Sequence, residues 1–186
     1  MDAFSYLAVL ISIILGLGIA QLLTGFGRWV ERRTAFQPFA PAMIWAGTLL
    51  LIHVQTWWSM FGLRLLTEWT FVRFAAVLIQ PIILYLLAIL VLPSQSATTT
   101  DLRVNYFDQR RWFFGLLGLL LVVSVLKDVI VSGRLPSGLN LAFHVVFLAG
   151  ALVALSTQRV GYHWAVAIVS GVAIVAYVVL LFAQLQ

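Results

Sequence analysis

Cysteine is absent from this 186-residue chain, which excludes disulfides, thiolate metal sites and covalent c-type haem attachment. Charge is scarce: 9% of residues are Asp, Glu, Lys or Arg, against about 25% in soluble domains. Lysine occurs once, as Lys127, and histidine three times. Apolar side chains make up 63% of the residues. A soluble domain of this size keeps roughly a third of its unfolded surface in water, and so few polar residues cannot supply that surface. Soluble globular, disordered and nucleic-acid-binding proteins are therefore excluded. The net charge of +5 sits mainly on arginines at the ends of apolar segments. It reads as membrane orientation, not as affinity for phosphate.

Six apolar stretches meet the roughly 20 helical residues needed to cross a hydrocarbon core of about 30 Å. They run from about Phe4 to Phe26, Pro41 to Leu63, Phe71 to Leu92, Trp112 to Val131, Leu139 to Leu155 and Trp164 to Leu185. None shows the alternating polarity of a membrane barrel strand. The expected fold is all-α: one bundle of six transmembrane helices. The first stretch lacks a basic leading region and is too long for a signal peptide, so it is expected to remain as a span.

Arginines set the direction. The odd-numbered loops hold Arg28, Arg32, Arg33, Arg103, Arg110, Arg111 and Arg159, and the even-numbered ones hold Arg64, Arg73 and Arg134. By the positive-inside rule the odd loops face the cytoplasm and both termini face outward. The expected location is the plasma membrane, as a prokaryotic inner membrane. Trp29, Trp69, Trp112, Tyr162 and Trp164 fall at the expected interfaces, where amphipathic rings settle. The longest loop, Pro93 to Arg111, carries a polar stretch from Ser94 to Thr100. Thr100 or Asp101 is then placed to cap a short surface helix, Leu102 to Arg110. This loop divides the chain into three spans plus three, residues 1–92 and 112–186, which permits an inverted repeat.

Ionisable groups inside a membrane are expensive, so each needs a reason. At about 1.5 Å of rise per residue, His53, Gln80, Lys127, Asp128, His144 and Tyr177 fall between mid-membrane and the outer surface. The inner half offers mainly Gln21 and Thr24, and His163 is expected to be solvated at the inner interface. Residues three and four apart share a helix face. Ser124, Asp128 and Ser132 form one stripe, Asn140 and His144 another, and Thr48, Gln55 and Ser59 a third. His53 shares its face with Thr56 and Trp57. Lys127 and Asp128 are adjacent and diverge by about 100°, so each is expected to find a partner on another helix, or Lys127 to snorkel to the outer interface. His144 and Asn140 are candidates for Asp128. Pro81 kinks the third span beside Gln80 and frees the Val77 carbonyl. The expected pocket comprises His53, Gln55, Gln80, Ser124, Lys127, Asp128, Asn140, His144 and Tyr177.

Small residues recur every fourth position at Gly16, Ala20 and Thr24, at Gly150 and Ala154, and at Ala167 and Gly171. Such stripes let helices approach closely in lipid, within one chain or between copies in a homodimer or other oligomer. Gly16-Leu17-Gly18 and Gly25-Phe26-Gly27 follow no strand and are not a dinucleotide loop. No catalytic nucleophile–base pair and no HExxH or paired acidic motif is present, so a membrane-embedded hydrolase is not expected, and an enzymatic role is less expected than a non-enzymatic one. Three functions fit. The first is transport or conduction of an ion, proton or small polar solute through the outer pocket. The second is redox chemistry, with His53 and His144 holding a b-type haem, or a quinone bound among Trp57, Trp58 and Phe143. The third is a structural or assembly subunit of a membrane complex. Transport is favoured, because one pair of membrane histidines serves only one haem. Lys127 as a Schiff-base lysine is set aside, since the span number and the lysine position differ from those of retinal proteins.

Overall fold

A computed structural model describes residues 3–31, 37–66, 68–93, 101–136 and 138–181. Within them the chain folds as six long helices: α1 (Ala3–Glu31), α2 (Ala40–Ser59), α3 (Phe71–Val91), α4 (Leu102–Ser132), α5 (Gly138–Ser156) and α6 (Val160–Leu181). A 3-10 helix over Met60–Leu65 continues α2. The second expected span therefore ends in a tighter turn, and α1 extends five residues past Phe26.

Local chemistry sets the boundaries. Pro41 opens α2, where its missing N–H costs nothing. The Thr70 hydroxyl accepts from the Arg73 amide at the start of α3, at 3.3 Å. Asp101 caps α4, its Oδ1 accepting from the amides of Arg103 and Val104 at 2.8 and 3.3 Å. Gly133, with φ of 70°, closes α4 in the left-handed conformation that glycine adopts without a Cβ clash. The surface helix expected over Leu102–Arg110 is not separate. It is the first part of α4, which runs on unbroken into the fourth span, because nothing at Arg110-Arg111-Trp112 stops a helix. The cap expected at Thr100 or Asp101 falls to Asp101. The polar stretch 94–100 and Arg32 and Arg33 lie outside the described residues.

The helices pass up and down. At one end the last turn of α1 is tied to the C-terminus of its parallel neighbour α3 by Arg28 Nη2 donating to the Pro93 carbonyl at 2.8 Å. At the same end the Leu102 amide donates to the Gln37 carbonyl at 3.2 Å. α3 packs along α4, α1 and α2, α4 along α5, and α2 along α6. The two halves therefore interleave.

The outer surface, unlike that of a water-soluble protein, is largely apolar. Val9, Ile13 and Leu17 of α1, Leu119, Val122 and Leu126 of α4, and Val172, Val175 and Val179 of α6 face outward. His53, Thr56, Gln80 and Ser170 are buried. Continuous apolar surface on this scale is stable only against lipid. Five of the helices, all but α2, are long and apolar enough to cross a membrane. The chain is a helical membrane protein. α2 carries Thr48, His53, Gln55 and Thr56, and the other helices tolerate this polarity because they cover its polar faces: Thr48, His53 and Thr56 are buried.

Two glycines of α1 allow close approach. A Cβ on Gly18 would stand 2.3 Å from His53 Nε2, and one on Gly25 would stand 2.6 Å from Leu92 Cδ1. Gly16, Ala20 and Thr24 lie on the exposed side. Ala167 is fully buried, and a Cβ on Gly171 would meet Thr48 Oγ1 at 3.3 Å. The Ala167/Gly171 stripe is thus spent on the contact between α6 and α2, and is not a free face for a second copy.

Candidate functional site

A cavity of about 510 Å³ lies between α2, α3, α4, α5 and α6. Its polar lining comes from all five helices: Gln55 and Ser59, Gln80, Ser124 with Lys127, Asp128 and Ser132, Asn140 with His144, and Ser170 with Tyr177. Its apolar walls include Ile52, Leu117, Leu120, Phe143 and Phe147. It reaches the end of the bundle where Met60–Leu63 and Arg134–Pro136 connect the helices, since both segments line it.

Eight of the nine residues expected to form a pocket meet in this cavity; His53 does not. His53 lies two residues from Gln55, about 200° around the helix, and so faces α1. Its Nδ1 donates to the Leu49 carbonyl at 2.7 Å, and its Nε2 is buried against Gly18 without a hydrogen-bond partner. Thr48, expected on the face of Gln55 and Ser59, turns to α6 instead, its hydroxyl donating to the Ile44 carbonyl at 2.8 Å.

Lys127 and Asp128 do pair, contrary to the divergence expected of neighbours, with Nζ and Oδ1 at 3.4 Å. The four-carbon lysine stem lets the ammonium swing back across the angle between the two Cβ directions. The same ammonium donates to Gln80 Oε1 at 3.0 Å, which links α4 to α3. Gln80 and Val77 both line the cavity, while Pro81 is buried within an unbroken helix. The carbonyl expected to be released by Pro81 therefore belongs to a cavity-lining residue.

Of the two candidates for Asp128, His144 is engaged elsewhere. His144 Nδ1 bonds the Asn140 carbonyl at 2.8 Å, and its Nε2 meets Ser124 Oγ at 3.2 Å. A carbonyl only accepts, so neutral His144 carries its proton on Nδ1 and accepts from Ser124 at Nε2. Phe143 stacks on Phe147 at 4.2 Å between centroids and lies 5.5 Å from the Tyr177 ring, forming an aromatic wall.

The opposite end of the bundle is closed by a second polar cluster. Tyr106, Arg110 and His163 are buried among Phe39, Phe107 and Phe114. His163 is fully buried, not solvated as expected. Its Nε2 donates to the Thr157 carbonyl at 3.1 Å, which leaves Nδ1 to accept from the Tyr106 hydroxyl at 2.9 Å. Arg110 is 4% exposed, and its Nε and Nη1 have no hydrogen-bond partner among the described residues. Polar groups are thus not confined to one half, and Thr24, expected among them, is exposed. The missed signal was a helical stripe. Leu102, Tyr106, Arg110, Phe114 and Leu117 share one face of α4 and mark it as inward-facing, whereas Arg111 and Trp112 point out.

The donor set for a bis-histidine haem is not assembled, because His53 faces Gly18 on α1 while His144 faces Ser124 on α4. The aromatic set for a quinone is split as well. Trp57 and Trp58 line a separate apolar groove against Phe4, Ala8 and Ile11 of α1, where Trp57 Nε1 donates to Ser12 Oγ at 3.1 Å. Phe143 stands in the main cavity. Fold and cavity together define a helical membrane protein with a cavity that receives polar side chains from five helices. Compared with known proteins, the chain matches no family, no curated protein and no solved structure.

Proposed function

We propose that the chain crosses the membrane six times with both termini outside, and that it transports or conducts an ion, proton or small polar solute. One observation carries the reading. An ion pair and hydrogen-bonding groups from five helices line one cavity that reaches one end of the bundle, while aromatic side chains fill the other end. A purely structural subunit has no need of a cavity of this size lined by a charged pair, since a polar pair packed against other side chains is the cheaper arrangement in lipid. A carrier or channel needs both features. Arg64, Arg73 and Arg134 mark the cavity end, and Arg28, Arg103, Arg111 and Arg159 the other, which makes the cavity end the outer one. The natural location is a plasma membrane, as a prokaryotic inner membrane. The α1 face bearing Gly16, Ala20 and Thr24 is the one small-residue stripe left open to a second copy.

Reconstitution into liposomes tests this. The wild-type protein is expected to raise uptake of protons, sodium ions or a neutral amino acid above that of empty vesicles. Asp128→Asn is expected to return uptake to background while its thermal unfolding stays that of the wild type. Wild-type uptake from that variant withdraws Asp128 from the mechanism. Wild-type protein indistinguishable from empty vesicles on all three solutes contradicts transport.

A further inference from the structure

We propose that the solute of this cavity is a compact zwitterion with an apolar side group, its ammonium held by Asp128 and its carboxylate by Lys127. The inference rests on the cavity being a solute site, as proposed above, and names what it takes.

The cavity is far larger than one dehydrated ion. Its volume of about 510 Å³ compares with roughly 30 Å³ for a water in liquid, and with about 300–1,000 Å³ for small-molecule sites. Ile52, Leu117 and Leu120 present apolar walls to whatever fills it. The ligand therefore has an apolar body.

Charge decides the rest. Lys127 and Asp128 neutralise each other at 3.4 Å, and both side chains remain partly accessible, at 19% and 33%. A lone cation drawn to Asp128 would leave the ammonium without its carboxylate at low dielectric, and a lone anion would do the reverse. A zwitterion exchanges one ion pair for two and adds no net charge. Charges one or two carbons apart match the spacing of the pair.

Two further groups are in place. Asn140 Oδ1 is a buried acceptor without a partner, suited to an ammonium N–H. Ser170 Oγ is likewise unpartnered in a residue 2% exposed, and its hydroxyl is suited to donate to a carboxylate. Both residues line the cavity. Tyr177 and Phe143, with rings 5.5 Å apart, line the same cavity as Asp128 and offer aromatic surface to a cation. Arg134 at the mouth adds attraction for a carboxylate.

The test is thermal unfolding of the full chain in detergent with matched probes. L-phenylalanine is compared with 2-phenylethylamine and 3-phenylpropionate, and L-leucine with isoamylamine and 4-methylpentanoate. At least one zwitterion is expected to raise the unfolding temperature and to bind about tenfold or more tightly than either single-charge analogue. Asp128→Asn and Lys127→Met are each expected to remove that preference. Should either fail to fold, Ser170→Ala is the second variant, and it is expected to weaken the zwitterion several-fold while leaving the amine unchanged. An amine or acid that binds as tightly as its zwitterion overturns the inference, as does no shift from either amino acid. Zwitterion binding without vesicle uptake counts against transport alone. Uptake of protons or sodium without zwitterion binding counts against the zwitterion alone.

Discussion

His53 and Gly18 set the closest approach between α1 and α2. The imidazole fills the space that a side chain at position 18 would occupy, with Nε2 2.3 Å from where a Cβ would stand. That atom belongs to a ring held by its bond to Leu49 and fully buried, so it has little room to yield. Gly18→Ala is therefore expected to destabilise the protein by about 1–3 kcal/mol. Gly16→Ala, which meets nothing within 4 Å and faces outward, is expected to leave stability unchanged or raise it by up to about 1 kcal/mol. Thermal unfolding of the two variants in the same detergent checks the pair, and equal effects would contradict the assigned faces. The spacing of the sequence placed Gly16, not Gly18, in the stripe of interest. Periodicity names a face but not which neighbour meets it, so the contact with His53 was not legible. The same limit applies to His53, whose spacing along α2 does not reveal that it faces α1 and not the cavity. Its depth was readable and its azimuth relative to α1 was not.

Among the elements, α4 shows most clearly what sequence patterns carry and what they miss. Its apolar portion from Trp112 onward was legible by hydropathy alone, as were α3 and α5 to within a residue or two. The ten residues before it are polar enough to look interfacial, yet they continue the same helix and turn Tyr106 and Arg110 inward. Tertiary packing of Phe39, Phe107 and His163 around Tyr106 decides this, and those partners lie on α4, on α6 and just before α2. Arg110 then holds a charge in an aromatic surround, with two nitrogens lacking acceptors among the described residues. A buried charge without a partner costs several kcal/mol, and replacing it with an apolar chain of similar length is neutral or stabilising. Arg110→Met is accordingly expected to unfold at the same or a higher temperature than the wild type. A marked drop would show that an acceptor engages the guanidinium in the membrane. α2 differs in kind. Its polar residues keep its hydropathy below that of the other helices, because most of them face protein and not lipid.

At the scale of the molecule, the cavity was legible as a set of residues but not as a shape. Helical spacing together with depth collected Gln55, Gln80, Ser124, Lys127, Asp128, Asn140, His144 and Tyr177, and all eight line it. The contribution of Ser170, the aromatic wall of Phe143 and Phe147 and the closed far end depend on how the helices cross, which a single sequence does not encode locally. The proposed function requires a vestibule within the membrane that is open to one side only. The absence of cysteine makes single-cysteine labelling in sealed vesicles its most direct test. Ser124→Cys, deep in the cavity, and Arg134→Cys, at its mouth, are expected to react with a membrane-impermeant methanethiosulfonate from the same side. Leu119→Cys on the lipid-facing side of α4 is expected to stay unlabelled. Labelling of Ser124→Cys from the side opposite Arg134→Cys, or no labelling of it while Arg134→Cys reacts, would contradict the account.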